Sequence, residues 1–129
     1  MIRRTILIGL LAIASLAAAG VPVAAKAGDV IERGQCSGAS HWKLKLSPEN
    51  GRIEAEFEVD QNRNGKPWRV TLKQNGTRVF RAVRYTQAPS GSFEVRRVLP
   101  NRAGADQIIG RAKNLRTGEI CRGLAIAGF

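Results

Sequence analysis

The sequence predicts an all-β domain, an antiparallel β-sandwich of about seven to eight strands held by one disulfide. Three observations lead there. Apolar and polar residues alternate with a period of two beyond residue 27, turn residues punctuate the chain at short intervals, and no window there carries a sustained 3.6-residue apolar stripe. A small closed β-barrel is the competing architecture, since it also uses short strands with one buried face.

Residues 1–27 stand apart from that pattern. Arg3 and Arg4 precede an apolar run over 6–19, and Gly20, Pro22 and small residues lead to Ala25-Lys26-Ala27. A basic start, an apolar middle and a small-x-small end make a secretory signal peptide, cleaved after Ala27 or, as the near alternative, after Ala25. The run is shorter than the ~20 residues a spanning helix needs. No cysteine stands at the cleavage site to carry a lipid anchor. The expected product is one secreted, monomeric domain over 28–129, with no membrane span.

The strands follow in order. A first lies near 30–36. Trp42, Leu44 and Leu46 then alternate with His41, Lys43 and Lys45, and Ile53, Ala55, Phe57 and Val59 alternate with Arg52, Glu54, Glu56 and Glu58. Trp68, Val70 and Leu72 alternate with Arg69, Thr71 and Lys73. Strict alternation puts one set on each face of a pleated strand, so each strand has one buried side. The connections are 47–51, 60–65 and Asn75-Gly76, the last a two-residue hairpin signal because Asn and Gly both tolerate positive φ. It pairs 67–74 with a strand from Thr77 to about Thr86. Phe93 and Val95 open another strand, and Arg96-Arg97 interrupts its alternation before Val98 and Leu99, as a bulge would. Residues 106–114 and 119–126 supply the last two, separated by Leu115-Arg116-Thr117-Gly118.

Cys36 and Cys121 are the only cysteines. In an oxidising compartment they pair, since they lack the C-x-x-C spacing of redox motifs. The bridge joins the first strand to the last and closes a long loop, which contributes on the order of 4 kcal/mol in the chain-entropy picture. A domain this small gains from such a staple.

Without the signal, 18 Lys+Arg stand against 10 Asp+Glu, a net +8 on residues 28–129. The excess lies in the second half. Arg78, Arg81 and Arg84 occupy one strand, Arg96 and Arg97 the next, and Arg102, Arg111, Lys113, Arg116 and Arg122 continue it. The strands at 77–86 and 94–97 are expected to form a contiguous patch, with Arg78, Arg81, Arg84, Arg96 and Arg97 as anion-binding side chains. Solubility alone also accounts for such an excess. Only Phe80, Tyr85 and Phe93 lie near these arginines, too few to stack on single-stranded nucleic acid, so no specific nucleic-acid partner is expected.

Three clusters resemble catalytic or metal chemistry and each has a plainer reading. Asp60-Gln61-Asn62-Arg63-Asn64-Gly65 matches the first half of a calcium loop, but the twelfth position is Thr71 where a bidentate Glu belongs. Asn, Asp and Gly are ordinary turn residues. Glu54, Glu56 and Glu58 line an outer strand face, where neighbouring Lys or Arg would balance them. His41 is the only histidine, which excludes multi-histidine metal sites, and no Gly-x-Ser-x-Gly elbow accompanies it. No catalytic residue, cofactor or metal is assigned.

Asp106-x-Ile108-x-x-x-Ala112 resembles the corner entering the penultimate strand of immunoglobulin-like domains, with Ile108 where the tyrosine stands. The resemblance implies an immunoglobulin-like sandwich; the cysteines depart from it, lying on the first and last strands and not the central pair. The chain also resembles the small one-disulfide secreted proteins of actinobacteria. Gly34-Gln35-Cys36-Ser37-Gly38, the stretch 53–61 and Ala88-Pro89-Ser90-Gly91-Ser92-Phe93 carry that resemblance. It implies export and a β-sandwich fold, and no particular activity.

The expected function is that of an exported, non-enzymatic binding module with a basic face for an anionic cell-surface polymer or an extracellular protein. A small secreted hydrolase using His41 with a serine or the Glu54–Glu58 face is the contrasting class. A protease-inhibitor-like protein presenting loop 86–92 is a variant of the binding class.

Overall fold

Alternation decides which side of each strand is buried. Leu44, Leu46, Ile53, Phe57 and Val59 are fully buried, as are Trp68, Val70, Leu72, Ile108 and Ala112, while their polar neighbours in sequence face out. The computed structural model describes residues 28–129, so the signal-peptide reading of 1–27 lies outside the described residues. Eight strands follow one another: β1 (Val30–Gln35), β2 (His41–Glu49), β3 (Arg52–Asp60), β4 (Pro67–Gln74), β5 (Thr77–Tyr85), β6 (Ser92–Pro100), β7 (Asp106–Asn114) and β8 (Ile120–Ala127). None of the described residues is helical.

The strands form two four-stranded antiparallel sheets, ordered β1-β2-β3-β6 and β5-β4-β7-β8. The sheets pack face to face and do not close into a barrel. The order β5-β4-β7-β8 is that of the corresponding sheet in immunoglobulin-like domains. In the other sheet the β2–β3 hairpin sets β3 between β2 and β6.

Two aromatic rings set against three glycines show how tightly the strands are packed. Phe57 from β3 lies flat on Gly110 of β7, where a Cβ would stand 2.7 Å from its ring. Trp42 fills the gap between Gly34 of β1 and Gly123 of β8, each of which has no room for a side chain beside the indole. On this side of the sandwich Cys36 and Cys121 form the expected disulfide. The Glu119 carboxylate reinforces it by accepting from the backbone N–H groups of Gly38 and Ser40, each at 2.9 Å, and from the Ser40 hydroxyl at 2.7 Å.

Two local expectations change. The β2–β3 connection is a two-residue turn, Asn50-Gly51, both with positive φ, and Pro48 is inside β2. It is tolerated there because β1 reaches only to Val30, opposite Leu46, leaving that end of β2 with one neighbour. Arg96-Arg97 is not a bulge: β6 keeps an unbroken register with β3 from Ser92 to Pro100. Arg97 simply occupies an inward position, with its guanidinium 4.7 Å from the Phe80 ring centre at the open β5–β6 side of the core. The irregularity lies instead between Leu72 and Lys73 in the β4–β5 register, where Val79 is the extra residue on β5. The corner at Asp106 is built around its buried carboxylate, which accepts from Gln74, Asn75 and the Arg102 N–H at 2.9–3.0 Å.

Candidate anion-binding face

The two outer faces of the sandwich differ in charge, one mixed and one of a single sign. On the β1-β2-β3-β6 face the signs are mixed: Lys43 stands opposite Glu58, Lys45 opposite Glu56 and Glu56 opposite Arg96, while Arg33 also stands opposite Lys43 and Glu58 opposite Glu94. Lys43 and Lys45 lie 3.9 Å from these glutamates, and Arg96 lies 2.6 Å from Glu54 and 3.0 Å from Glu49. This is the plainer reading of the Glu54–Glu58 row, a face balanced by its neighbours. Charge on it is close to cancelling.

Within the row, two glutamates titrate far apart. Arg96 holds the Glu54 carboxyl down at about 2, first through its hydrogen bond. Burial, contact with Glu54 and the charge of Glu94 push Glu56 up to about 7. The Lys45–Glu56 pair would lower it, but Lys45 divides its charge between Glu56 and Asp29, at 3.7 Å, so burial and repulsion prevail.

The β5-β4-β7-β8 face carries charge of one sign. Its register aligns three rows across the four strands: Val83–Arg69–Lys113–Ile120, Arg81–Thr71–Arg111–Arg122 and Arg78–Lys73–Ile109–Leu124. Seven cations share these rows, and among the described residues no carboxylate occupies an outward position of this sheet. Three pairs of like charges stand directly opposite one another: Arg69 and Lys113, Lys73 and Arg78, Arg111 and Arg122. Such pairs destabilise a sheet where no anion separates them. Thr71, Lys73, Ile109, Arg111 and Arg122 border a concavity of about 350 Å³ in the middle of this face.

The five arginines expected to form one patch are divided among three surfaces. Arg78 and Arg81 lie on the basic face; the extra residue Val79 between them turns a spacing of three into the same side of the strand. No bulge separates Arg81 from Arg84, so Arg84 turns to the core side and rests at the open edge, 5.5 Å from Phe80 and close to Arg97. Arg96 lies on the opposite sheet, paired with Glu49 and Glu54. Proximity in sequence misses Arg69, Lys73, Arg111, Lys113 and Arg122 as one surface. Parity could have found them, since each neighbours a buried or glycine position such as Trp68, Leu72, Gly110, Ala112 or Cys121.

The chemical clusters do not assemble a reaction centre. The Ser40 hydroxyl is bonded to Glu119 and so is not available to His41. Asp60 stands between His41 and Ser92 in the cross-strand row, which puts serine and histidine two strand spacings apart, about 10 Å. Ser92 instead shares a 2.6 Å hydrogen bond with Ser90. In the 60–65 loop the Asp60 carboxylate accepts from the Asn62 N–H. Gly65 N–H donates to the Thr86 carbonyl, Lys66 N–H to the Thr86 hydroxyl and that hydroxyl to the Arg63 carbonyl, tying the loop to 86–92. Among the described residues no three His, Cys, Asp or Glu side chains gather as a metal site.

No protein-family model matches the chain, and no curated protein matches it. Among solved structures it overlaps a chitin-binding domain from Burkholderia pseudomallei, at 12% identity and a TM-score of 0.37, over 60% of this chain. The overlap covers about half of that chain, 52%. A likeness this slight says nothing of a ligand. The fold and the charge pattern define a β-sandwich with one balanced face and one basic face.

Proposed function

We propose that the chain is an exported, non-enzymatic binding module whose β5-β4-β7-β8 face engages an extended anionic polymer outside the cell. The observation that carries this reading is the set of three like-charge cross-strand pairs, Arg69–Lys113, Lys73–Arg78 and Arg111–Arg122, on a face without carboxylates. The opposite sheet also has like-charge neighbours, Arg33–Lys43 and Glu58–Glu94, but there glutamates pair with Lys43, Lys45 and Arg96 and offset them. Solubility needs net charge but not repulsive neighbours. A polyanion laid across the rows would relieve that repulsion and release its own counterions. The four-stranded surface, about 15 Å across by strand spacing, suits a chain-like partner more than a small molecule.

The test compares binding of the oxidised 28–129 protein to wall polymers and to DNA at low and physiological salt. The triple substitution Arg69→Gln, Arg111→Gln, Arg122→Gln should weaken binding and reduce the logarithmic salt slope by about two to three. Arg52→Gln, on the balanced face, should leave both unchanged. Undiminished binding by the triple variant would refute the assignment of the face.

A further inference from the structure

Within the basic face the cations are not spread evenly, and we infer that the central concavity is a subsite for a phosphomonoester group carried by the polymer. This rests on the reading of the face given above and adds the chemistry of the ligand. Lys73 comes from β4, Arg111 from β7 and Arg122 from β8, so three positive side chains from three strands border one volume of about 350 Å³. Thr71 adds a hydroxyl, directly opposite Arg111 in the register, and Ile109 is the apolar wall.

A carboxylate is planar, carries one charge and is satisfied by a single arginine fork. Three cations around one such group would leave most of their charge unmatched. A phosphomonoester carries about −1.5 to −2 at neutral pH and presents three acceptor oxygens that are not coplanar with its ester bond. Donors arriving from three strands match that geometry: two guanidinium groups for bidentate contacts, an ammonium as a point charge and a hydroxyl between them. Arg111 and Arg122 oppose each other across β7 and β8, so an oxyanion held between them also removes the repulsion the bare sheet carries.

The experiment titrates the oxidised 28–129 protein with glucose 6-phosphate, dimethyl phosphate and acetate at matched ionic strength, following backbone amide shifts. Saturable shifts centred on Thr71, Arg111 and Arg122 with the monoester alone support the subsite. They should fade as the pH falls through about 6, where the monoester dianion takes up a proton and becomes a monoanion. Arg122→Gln should lower monoester affinity about tenfold, the size of one charge-assisted contact, and Arg52→Gln should not change it. An equal response to all three anions, or shifts spread over the whole sheet, would overturn the inference. A polysaccharide bearing both carboxylates and phosphomonoesters, tested before and after phosphatase treatment, separates polymer-borne from free phosphate: the proposal requires that treatment reduce binding. If treated and untreated polymer bind alike, the subsite fails and the face stands. If neither binds, the reading of the face fails as well.

Discussion

Arg111 and Arg122 stand directly opposite one another across β7 and β8, with no carboxylate beside them on that face. The same chain places Glu56 between Lys45 and Arg96 on its other sheet. One molecule thus contains both the arrangement that lowers the energy of a sheet and the one that raises it. On the other sheet the like-charge neighbours Arg33–Lys43 and Glu58–Glu94 share one row of mixed sign, whereas on the basic face no carboxylate offsets the repulsion.

The repulsion has a measurable cost. Salt should raise the stability of the unliganded protein by screening the three like-charge pairs, opposite to its effect on the ion pairs of the other face. Arg122→Glu turns one pair into an attraction and should stabilise the fold by about 0.5 kcal/mol at low salt, a gain that disappears at high salt. Denaturant midpoints at two salt concentrations give both quantities. A lower midpoint for Arg122→Glu would mean that the two side chains do not interact as the register implies.

The disulfide should dominate stability on the β1–β8 side. It spans 85 residues of sequence, and replacing both cysteines by alanine should cost on the order of 4 kcal/mol. Glu119→Gln should cost about 1–2 kcal/mol more modestly, because a neutral amide keeps an acceptor for the Gly38 and Ser40 donors but loses the charge. Thermal denaturation of the three proteins orders them: native, Glu119→Gln, then the double cysteine variant. Equal midpoints for the first and second would show that the carboxylate adds nothing to the bridge.

Much of this architecture was legible in the sequence because a period of two is a direct readout of burial. The hydrophobic sets Leu44–Leu46, Ile53–Val59 and Trp68–Leu72 identified three strands and their buried sides, and Asn75-Gly76 identified a hairpin. The site was less legible, for a geometric reason. Whether Arg78, Arg81 and Arg84 share a side depends on one inserted residue, Val79, and a bulge in β5 leaves no distinctive residue type behind. Arg96-Arg97 looked like a disruption but is an inward arginine stacked on Phe80, a partner from a strand many residues away. Cross-sheet partners of this kind are not written into local spacing.

Gly110 offers a test of how closely the sheets are packed. A Cβ at this position would stand 2.7 Å from the Phe57 ring, and both residues lie in the middle of opposed sheets. Gly110→Ala should therefore cost about 1–3 kcal/mol through overpacking. Combining it with Phe57→Leu, which frees space above the glycine, should cost less than the two separate changes added together. Strict additivity in that double-mutant cycle would show that the alanine penalty comes from elsewhere.

The glutamate pair on β3 fixes how stability should vary with pH. Glu54 is held at about 2, below its ordinary 4.5, so the folded protein stays ionised there while the unfolded chain takes up a proton. Its contribution is present above about 4.5 and is lost as the pH falls towards 2. Glu56 is pushed the other way, to about 7, so the folded protein keeps a proton that the unfolded chain has released. Its effect is lost as the pH rises from 4.5 through 7, beyond which the fold must carry the charge. Together the pair favours the folded state most near pH 4.5 and less on either side. Glu56→Gln removes the upper limb: it should leave stability at pH 5 almost unchanged and raise it at pH 8 by about 1 kcal/mol, a figure reduced for the partial exposure of the group. Denaturant midpoints of both proteins at the two pH values measure the difference. If the substitution has the same effect at pH 5 and pH 8, Glu56 is not the group that holds the extra proton.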